Sequence, residues 1–309
     1  MRAARIESFG GPDVLRVVDV PAPGLEPGQV RVEVVGSSIN PVDIAIRSGW
    51  MQEFLPLTPP LTMGTDIAGI VTEVGEGVAD LAVGDPVYGV AGVVMGGSGG
   101  FAEQAVTWAG LLATAPAGVD LVVAATLPLA GISALEAITE RLDVEPGSRV
   151  LVHGACGGVG LVAVALARHL GGQVVATLRG NGVAVLKDLG VDDVVDTGTT
   201  DLSSLQPFDL TLDLVGADPM LPVTVTKPGG RVVGLRMMPD QQAAADKGVE
   251  AVMQGTQITT QRLNRLRDLV EQGVLVPYVA QTFDLSDISA AFSMKEAGGV
   301  LGKIAVKAR

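Results

Sequence analysis

Residues Val150–Leu170 read VLVHGACGGVGLVAVALARHL, and the spacing of glycines in this stretch points to chemistry. A short apolar strand, Arg149–His153, runs into Gly154-Ala155-Cys156-Gly157-Gly158-Val159-Gly160. A helix that is apolar nearly all round, and so buried, is predicted over Gly158–Leu170. Gly154 and Gly157 permit a tight turn and a close approach of backbone to a diphosphate, and Gly160 lets the helix pack near the strand. Gly158 and Val159 open the helix, whose free N–H groups and positive dipole end suit phosphate oxygens. A strand, this loop and a helix at the start of a βαβ series predict a dinucleotide-binding site. Cys156 lies in the same loop. There it is either a small, inert space-filler or a thiol whose pKa the N–H groups and dipole lower.

The second strand of the series ends at Thr177-Leu178-Arg179-Gly180-Asn181, with Arg179 19 residues past Gly160. An acidic residue there would take the ribose hydroxyls of NAD. No acid is present, and the Arg179 guanidinium pairs with a 2′-phosphate, so NADPH is expected rather than NADH, with Arg179 and Asn181 among its contacts. Gly216 follows a later strand in DLVG and Leu235 ends the next. Both fall at the carboxyl edge, where ligands of such sheets bind, and both are expected to meet the nicotinamide ribose through backbone groups.

These residues need a frame. Strands are predicted at Gln173–Thr177, Asp193–Val195, Asp209–Leu214 and Arg231–Leu235, with a helix at Val183–Leu189 stopped by Gly190. Asp218-Pro219 suits the N-cap and first position of a helix between the last two strands. Alternation of this kind predicts a doubly wound parallel sheet, an α/β Rossmann arrangement. The first hundred residues differ. Val30–Val35, Ile67–Val74 and Val87–Val90 read as strands between turns, of the barrel kind, and Gly96–Gly100 reads as a flexible turn. Thr260–Gln272 is an amphipathic helix, and the tail returns to strand, helix, strand. The boundaries expected are 1–116 with 275–309 for the β-rich domain and 117–274 for the nucleotide-binding domain.

Composition narrows the function. The chain has 309 residues, 48% of them hydrophobic, enough for a large core. Its net charge of −13 and 3% aromatics offer neither a footprint for nucleic acid nor one for an anionic membrane. One cysteine and two histidines exclude an internal disulfide and any zinc site of two or more thiolates, so no metal is expected. The opening MRAARIESFGG has no signal-like apolar segment, and the longest apolar run, Leu121–Leu135, contains Pro128 and is too short for a span of about 20 residues. A cytoplasmic setting is the default expectation.

Several segments together resemble one family. They are GGPDVLRVVDVPAP near the start, SSINPVDIAIRSG from Ser37, MGTDIAGIVTEVGEGV from Met63, VGDPVYGV from Val83 and GGFAEQAV from Gly99. LPLAGISALEAI from Leu127, EPGSRVLVHGACGGVG from Glu145 and LGKIAVK from Leu301 complete them. The chain looks like a medium-chain dehydrogenase/reductase of the zinc-independent quinone oxidoreductase (zeta-crystallin-like) branch. The resemblance implies a GroES-like β-barrel catalytic domain split around a Rossmann domain, an active site in the cleft between them, and a homodimer joined near Val249–Met253. Where metal-dependent relatives place zinc ligands, this chain has Ser38-Ile39-Asn40-Pro41 and Gly64-Thr65-Asp66. Hydride transfer to a quinone or an α,β-unsaturated carbonyl is what remains.

The family position gives Asn40 to the nicotinamide and the substrate carbonyl. Asp66 either orients the same site or satisfies local backbone N–H groups. Ser133, in AGISAL, stands where relatives use a hydroxyl near the cofactor carboxamide. Many relatives carry a tyrosine shortly after the Asn-Pro-x-Asp segment, but here Ala45, Trp50 and Met51 occupy that region, which leaves no dedicated proton donor. Trp50 and Met51 are expected to form an apolar wall, and His153 to be packed and hydrogen-bonded. Two alternatives stay open: an enoyl or enone reductase acting on a polyketide-like intermediate, and an NADPH-binding protein without turnover.

Overall fold

The computed structural model describes residues 1–309, which divide into two compact units. One comprises Met1–Ala130, Ile258–Glu271 and Val279–Arg309; the other comprises Gly131–Gln257 and Gln272–Tyr278. These limits differ from those expected, and the packing gives the reason. The helix Leu121–Ala124 lies so close to the strand Gln29–Ser38 that a Cβ on Gly36 would sit 2.5 Å from the Val122 Cα. The helix Thr260–Glu271 is tied to the same β-rich unit. The Tyr88 hydroxyl donates to the Leu263 carbonyl at 2.6 Å, and Thr260 Oγ1 donates to the Leu112 carbonyl at 2.9 Å.

The second unit is a six-stranded parallel sheet. Its order is Asp193–Asp196, Gln173–Leu178, Arg149–His153, Phe208–Asp213, Thr226–Gly234 and Glu250–Met253. Chain order reverses beside the first strand, Arg149–His153, and the carboxyl ends there form the edge at which such sheets bind ligands. The helix Gly158–His169 buries Leu161, Val164, Leu166 and three small residues, as its apolar composition demands. One predicted start was wrong. Asp218-Pro219 does not open the next helix, which spans Leu221–Val225. The Asp218 carboxylate instead accepts the Met220 N–H at 2.9 Å, closing a turn before the helix begins.

The first unit holds a seven-stranded sheet organised on Gln29–Ser38. The first half of that strand pairs with Gln104–Trp108 and its end with Lys303–Lys307, while Asp66–Val74 runs along its other side. Ser38 therefore lies opposite Asp66 on one flank and Ala305 on the other, which brings residues from three distant parts of the chain together. Gly99 and Gly100 are buried rather than part of a flexible turn. A Cβ on Gly100 would stand 2.6 Å from the Ile67 Cγ2 and 2.9 Å from the Asp66 carbonyl oxygen, so glycine is required for this segment to pass beneath Asp66. No helix is long and apolar enough to cross a membrane.

Candidate active site

In the parallel-sheet unit the glycine loop is pinned from the neighbouring strand. Thr177 Oγ1 accepts the Gly154 N–H at 3.0 Å and shares a 2.7 Å hydrogen bond with His153 Nδ1, and the Thr177 carbonyl accepts the Ala155 N–H at 2.9 Å. His153 is thus packed and hydrogen-bonded. Burial holds its imidazole below the ordinary pKa, against the opposing pull of the Asp213 carboxylate. Gly154 sits at φ +90°, a conformation that suits glycine. Gly157 caps the helix with no side-chain hydrogen bond, so the first-turn N–H groups, from Gly158 through Val159 to Gly160, remain available. A Cβ on Gly157 would find nothing nearer than 3.9 Å, whereas one on Gly160 would lie 2.5 Å from the Ala155 carbonyl oxygen. Gly157 therefore faces space and Gly160 faces backbone. Open space beside free N–H donors at a helix N-terminus fits a pyrophosphate.

Arg179 and Asn181 are exposed beyond the second strand. Cys156 is half-buried, and burial pushes its thiol pKa up, which favours the inert space-filler over the dipole-lowered thiol of the two readings. Gly216 and Leu235 lie at the carboxyl edge, but their amides are occupied. The Gly216 N–H donates to Asp213 Oδ1 at 3.1 Å, and the Leu235 N–H to the Asp213 carbonyl at 3.1 Å. Only their carbonyls are left as contacts for a ribose. Ser133 is buried, its Oγ 2.7 Å from Thr256 Oγ1, and its carbonyl accepts Gln254 Nε2 at 3.0 Å.

In the β-rich unit, strand register assembles a buried polar cluster. Asp66 Oδ2 accepts from the Ser38 hydroxyl and from Asn40 Nδ2, both at 2.7 Å. Asp66 Oδ1 accepts the Leu129 N–H at 2.9 Å, so Asp66 both orients Asn40 and satisfies a backbone group. The Lys303 ammonium donates to Asn40 Oδ1 at 2.5 Å and to the Ile39 carbonyl at 3.0 Å, and lies 3.5 Å from Asp66 Oδ2. Burial lowers the Lys303 pKa from the usual lysine value. Asn40 caps the helix Pro41–Arg47 in a reciprocal capping box, its N–H donating to Asp43 Oδ2 at 2.8 Å. The Thr65 hydroxyl donates to Asp43 Oδ1 at 2.7 Å. Burial raises the Asp43 pKa to about 7 despite these donors.

Sequence reasoning named Asn40 and Asp66 but passed over Lys303, Asp43, Ser38 and Thr65 as partners in the cluster. Nothing within LGKIAVK set Lys303 apart, since Lys307 closes the same strand with a second lysine. Tyr88 cannot serve as the missing proton donor in this arrangement. It is fully buried, its hydroxyl is committed to Leu263, and burial drives its pKa upward. Trp50 is 64% exposed, its ring 5.4 Å from that of Phe54, so it forms no buried wall; Met51 packs against the core. No group of three or more His, Cys, Asp or Glu side chains is arranged to hold a metal ion.

Comparison with known proteins adds independent information. Residues 26–117 match the alcohol dehydrogenase GroES-like domain, and residues 189–306 match a model described as zinc-binding dehydrogenase. An NADPH-dependent alkenal/one oxidoreductase of Arabidopsis thaliana is 32% identical over 99% of this chain and 79% of its own length. A polyketide synthase of Streptomyces halstedii is 34% identical over 91% of this chain, which amounts to 5% of that much longer protein. The chain spans about half the length of the quinone oxidoreductases it matches, 55% for the chloroplast envelope homolog of Arabidopsis thaliana and 52% for the pig protein. The solved quinone oxidoreductase of Coxiella burnetii superimposes with a TM-score of 0.92 at 30% identity, covering 100% of this chain and 99% of that one.

Proposed function

Because the chain belongs to the quinone oxidoreductase branch of the medium-chain dehydrogenase/reductase superfamily, we propose that it transfers hydride from NADPH to a quinone or an α,β-unsaturated carbonyl without a catalytic metal. The observation that carries the cofactor assignment is the open cradle at Gly157, at the head of an uncapped helix. Its N–H donors would hold the pyrophosphate, and Arg179, exposed at the end of the second strand, would take the 2′-phosphate. Ser133 and the carbonyls of Gly216 and Leu235 would contact the nicotinamide half. The bound cofactor supplies a hydride at its nicotinamide ring.

In the β-rich unit Asn40 and Asp66 supply oriented polar groups rather than metal ligands. Ser38 and Thr65 are committed by hydrogen bonds to Asp66 and Asp43. With Tyr88 sequestered, the proton that completes reduction comes from solvent, which suits a quinone acceptor, whose reduced oxygens protonate readily. We further propose a cytoplasmic homodimer joined at Glu250–Met253, the outermost strand of the parallel sheet.

The likeness to a polyketide synthase over most of this chain favours a second reading, an enoyl or enone reductase acting on a polyketide-like intermediate. One assay separates the two: NADPH oxidation against 1,4-benzoquinone, 9,10-phenanthrenequinone, simple enones and an enoyl thioester. The proposal expects turnover with the quinones or enones, unchanged by dialysis against EDTA. Turnover with the thioester alone selects the second reading, and a chelator-sensitive rate restored by zinc refutes metal independence.

A further inference from the structure

Lys303 is only 7% exposed at the start of the strand Lys303–Lys307, where an apolar side chain would pack without the penalty of desolvating a charge. Its ammonium is fully engaged within the chain by the Ile39 carbonyl, Asn40 Oδ1 and Asp66 Oδ2. Asp66 meets the opposite end of the same Asn40 carboxamide, accepting from Nδ2. Asn40 is thus held between a cation and an anion, each matched in sign to the amide end it touches. A half-turn of the amide would set NH2 against the ammonium and the carbonyl against the carboxylate, so one orientation is enforced. In that orientation one Nδ2 hydrogen goes to Asp66. The other makes a longer, 3.3 Å hydrogen bond to the Ser38 carbonyl and is the more weakly held of the two, the one an acceptor oxygen can take over. A cation on the amide oxygen also withdraws electron density and strengthens the NH2 group as a donor.

We propose that Lys303 is a positioning residue of the reductase, which acts through Asn40 to fix and polarise the carboxamide so that its more weakly held N–H exchanges the Ser38 carbonyl for the carbonyl oxygen of the acceptor. This rests on the hydride-transfer function proposed above. As hydride reaches the β-carbon of an enone, the π electrons shift onto the carbonyl oxygen. The Asn40 N–H stabilises that enolate until a proton from solvent arrives at the α-carbon.

The test is a double-mutant cycle of Lys303→Met and Asn40→Ala, reading kcat and KM with NADPH and a simple enone, the apo melting temperature, and NADPH affinity by fluorescence titration. Lys303→Met is expected to lose about tenfold or more in kcat and to keep its NADPH affinity. It should add nothing in the Asn40→Ala background, where the group it acts through is gone. Losses that multiply around the cycle, or a Lys303→Met variant with wild-type kcat, overturn the proposal. Lys303→Met alone leaves the Asp66 charge without its cation. Should that variant not fold, Lys303→Met/Asp66→Asn removes both charges together. This pair is expected to fold and to show the same low kcat, and wild-type turnover in it is equally fatal. A wild-type protein that fails to oxidise NADPH with every one of the acceptors refutes the function and this role together, whereas an active wild type with an equally active Lys303→Met strikes the role alone.

Discussion

Two alanine substitutions, three residues apart in one loop, should have opposite consequences. A Cβ at residue 160 would lie 2.5 Å from the Ala155 carbonyl oxygen and 2.6 Å from the Ala155 C and Cα atoms. The closest of these is 0.9 Å short of the 3.4 Å at which ordinary contact begins, and the obstacle is backbone, which no side-chain rotation relieves. Gly160→Ala must therefore push the helix Gly158–His169 away from the loop, at a cost of roughly 1–3 kcal/mol for overpacking. In a chain of this size that corresponds to a fall in melting temperature of about 1.5–5 °C. Residue 157 differs on both counts. Its φ of −80° and ψ of 171° suit any L-residue, and a Cβ there meets nothing nearer than 3.9 Å. Gly157→Ala should leave the apo protein within about 1 kcal/mol of wild type, the less flexible unfolded chain offsetting alanine's poorer fit at a helix N-cap. If the pyrophosphate lies in the space beside Gly157, the new methyl takes its place, and the NADPH Kd should rise about tenfold or more, or ~1.4 kcal/mol. Scanning calorimetry of the apo proteins and fluorescence titration with NADPH read the two effects separately. Wild-type NADPH affinity in a folded Gly157→Ala protein would show that the cradle does not hold the cofactor. An unchanged melting temperature in Gly160→Ala would refute the close packing.

Three further outcomes are expected. Arg179→Ala should weaken NADPH by roughly 1.5–3 kcal/mol and leave NADH binding untouched, because only NADPH carries the 2′-phosphate; equal losses for both cofactors would dismiss this role. Cys156 should react with iodoacetamide more slowly at pH 7 than an unhindered thiol, since burial raises its pKa, and the rate should climb in alkaline solution; rapid alkylation at neutral pH would contradict its environment. Asp43 has a folded-state pKa of about 7 against 3.8 for the free side chain, so its contribution is intact below pH 3.8 and is lost as pH rises to about 7, by roughly 4 kcal/mol in all. Denaturant unfolding between pH 4 and 8 should show this slope in wild type and not in Asp43→Asn; parallel pH profiles would exclude it.

The features legible in the sequence were those encoded locally. The glycine loop announces itself within a dozen residues, and the alternation of strand and helix after Arg149 is enough to predict a parallel sheet. Local patterns misled where the chain was doing something non-local. Gly96–Gly100 looks like a flexible turn, yet Gly99 lacks a side chain because it is buried against Thr62, and Gly100 because the backbone passes under Asp66. For Cys156 the loop allowed both an inert and a dipole-activated thiol, and the burial that raises its pKa depends on surroundings the local sequence does not show.

Lys303 shows the limit most clearly. Lys303 and Lys307 flank the same three apolar residues, and strand parity places both on one face. A solvated lysine is the ordinary reading of each. Lys307 is indeed exposed, whereas Lys303 is buried against Asp66, 237 residues away in sequence. What separates them is register. Lys307 lies opposite Gly36, while the pairing of Ala305 with Ser38 carries Lys303 past the end of the partner strand, to the point where Asn40 and Asp66 converge. No composition or periodicity within LGKIAVK contains that information, because it resides in how three separate strands align. The same alignment explains why a buried charge is tolerated there: Asp66, Asn40 and the Ile39 carbonyl arrive at the ammonium together, and a shift of one residue in either pairing would remove its partners.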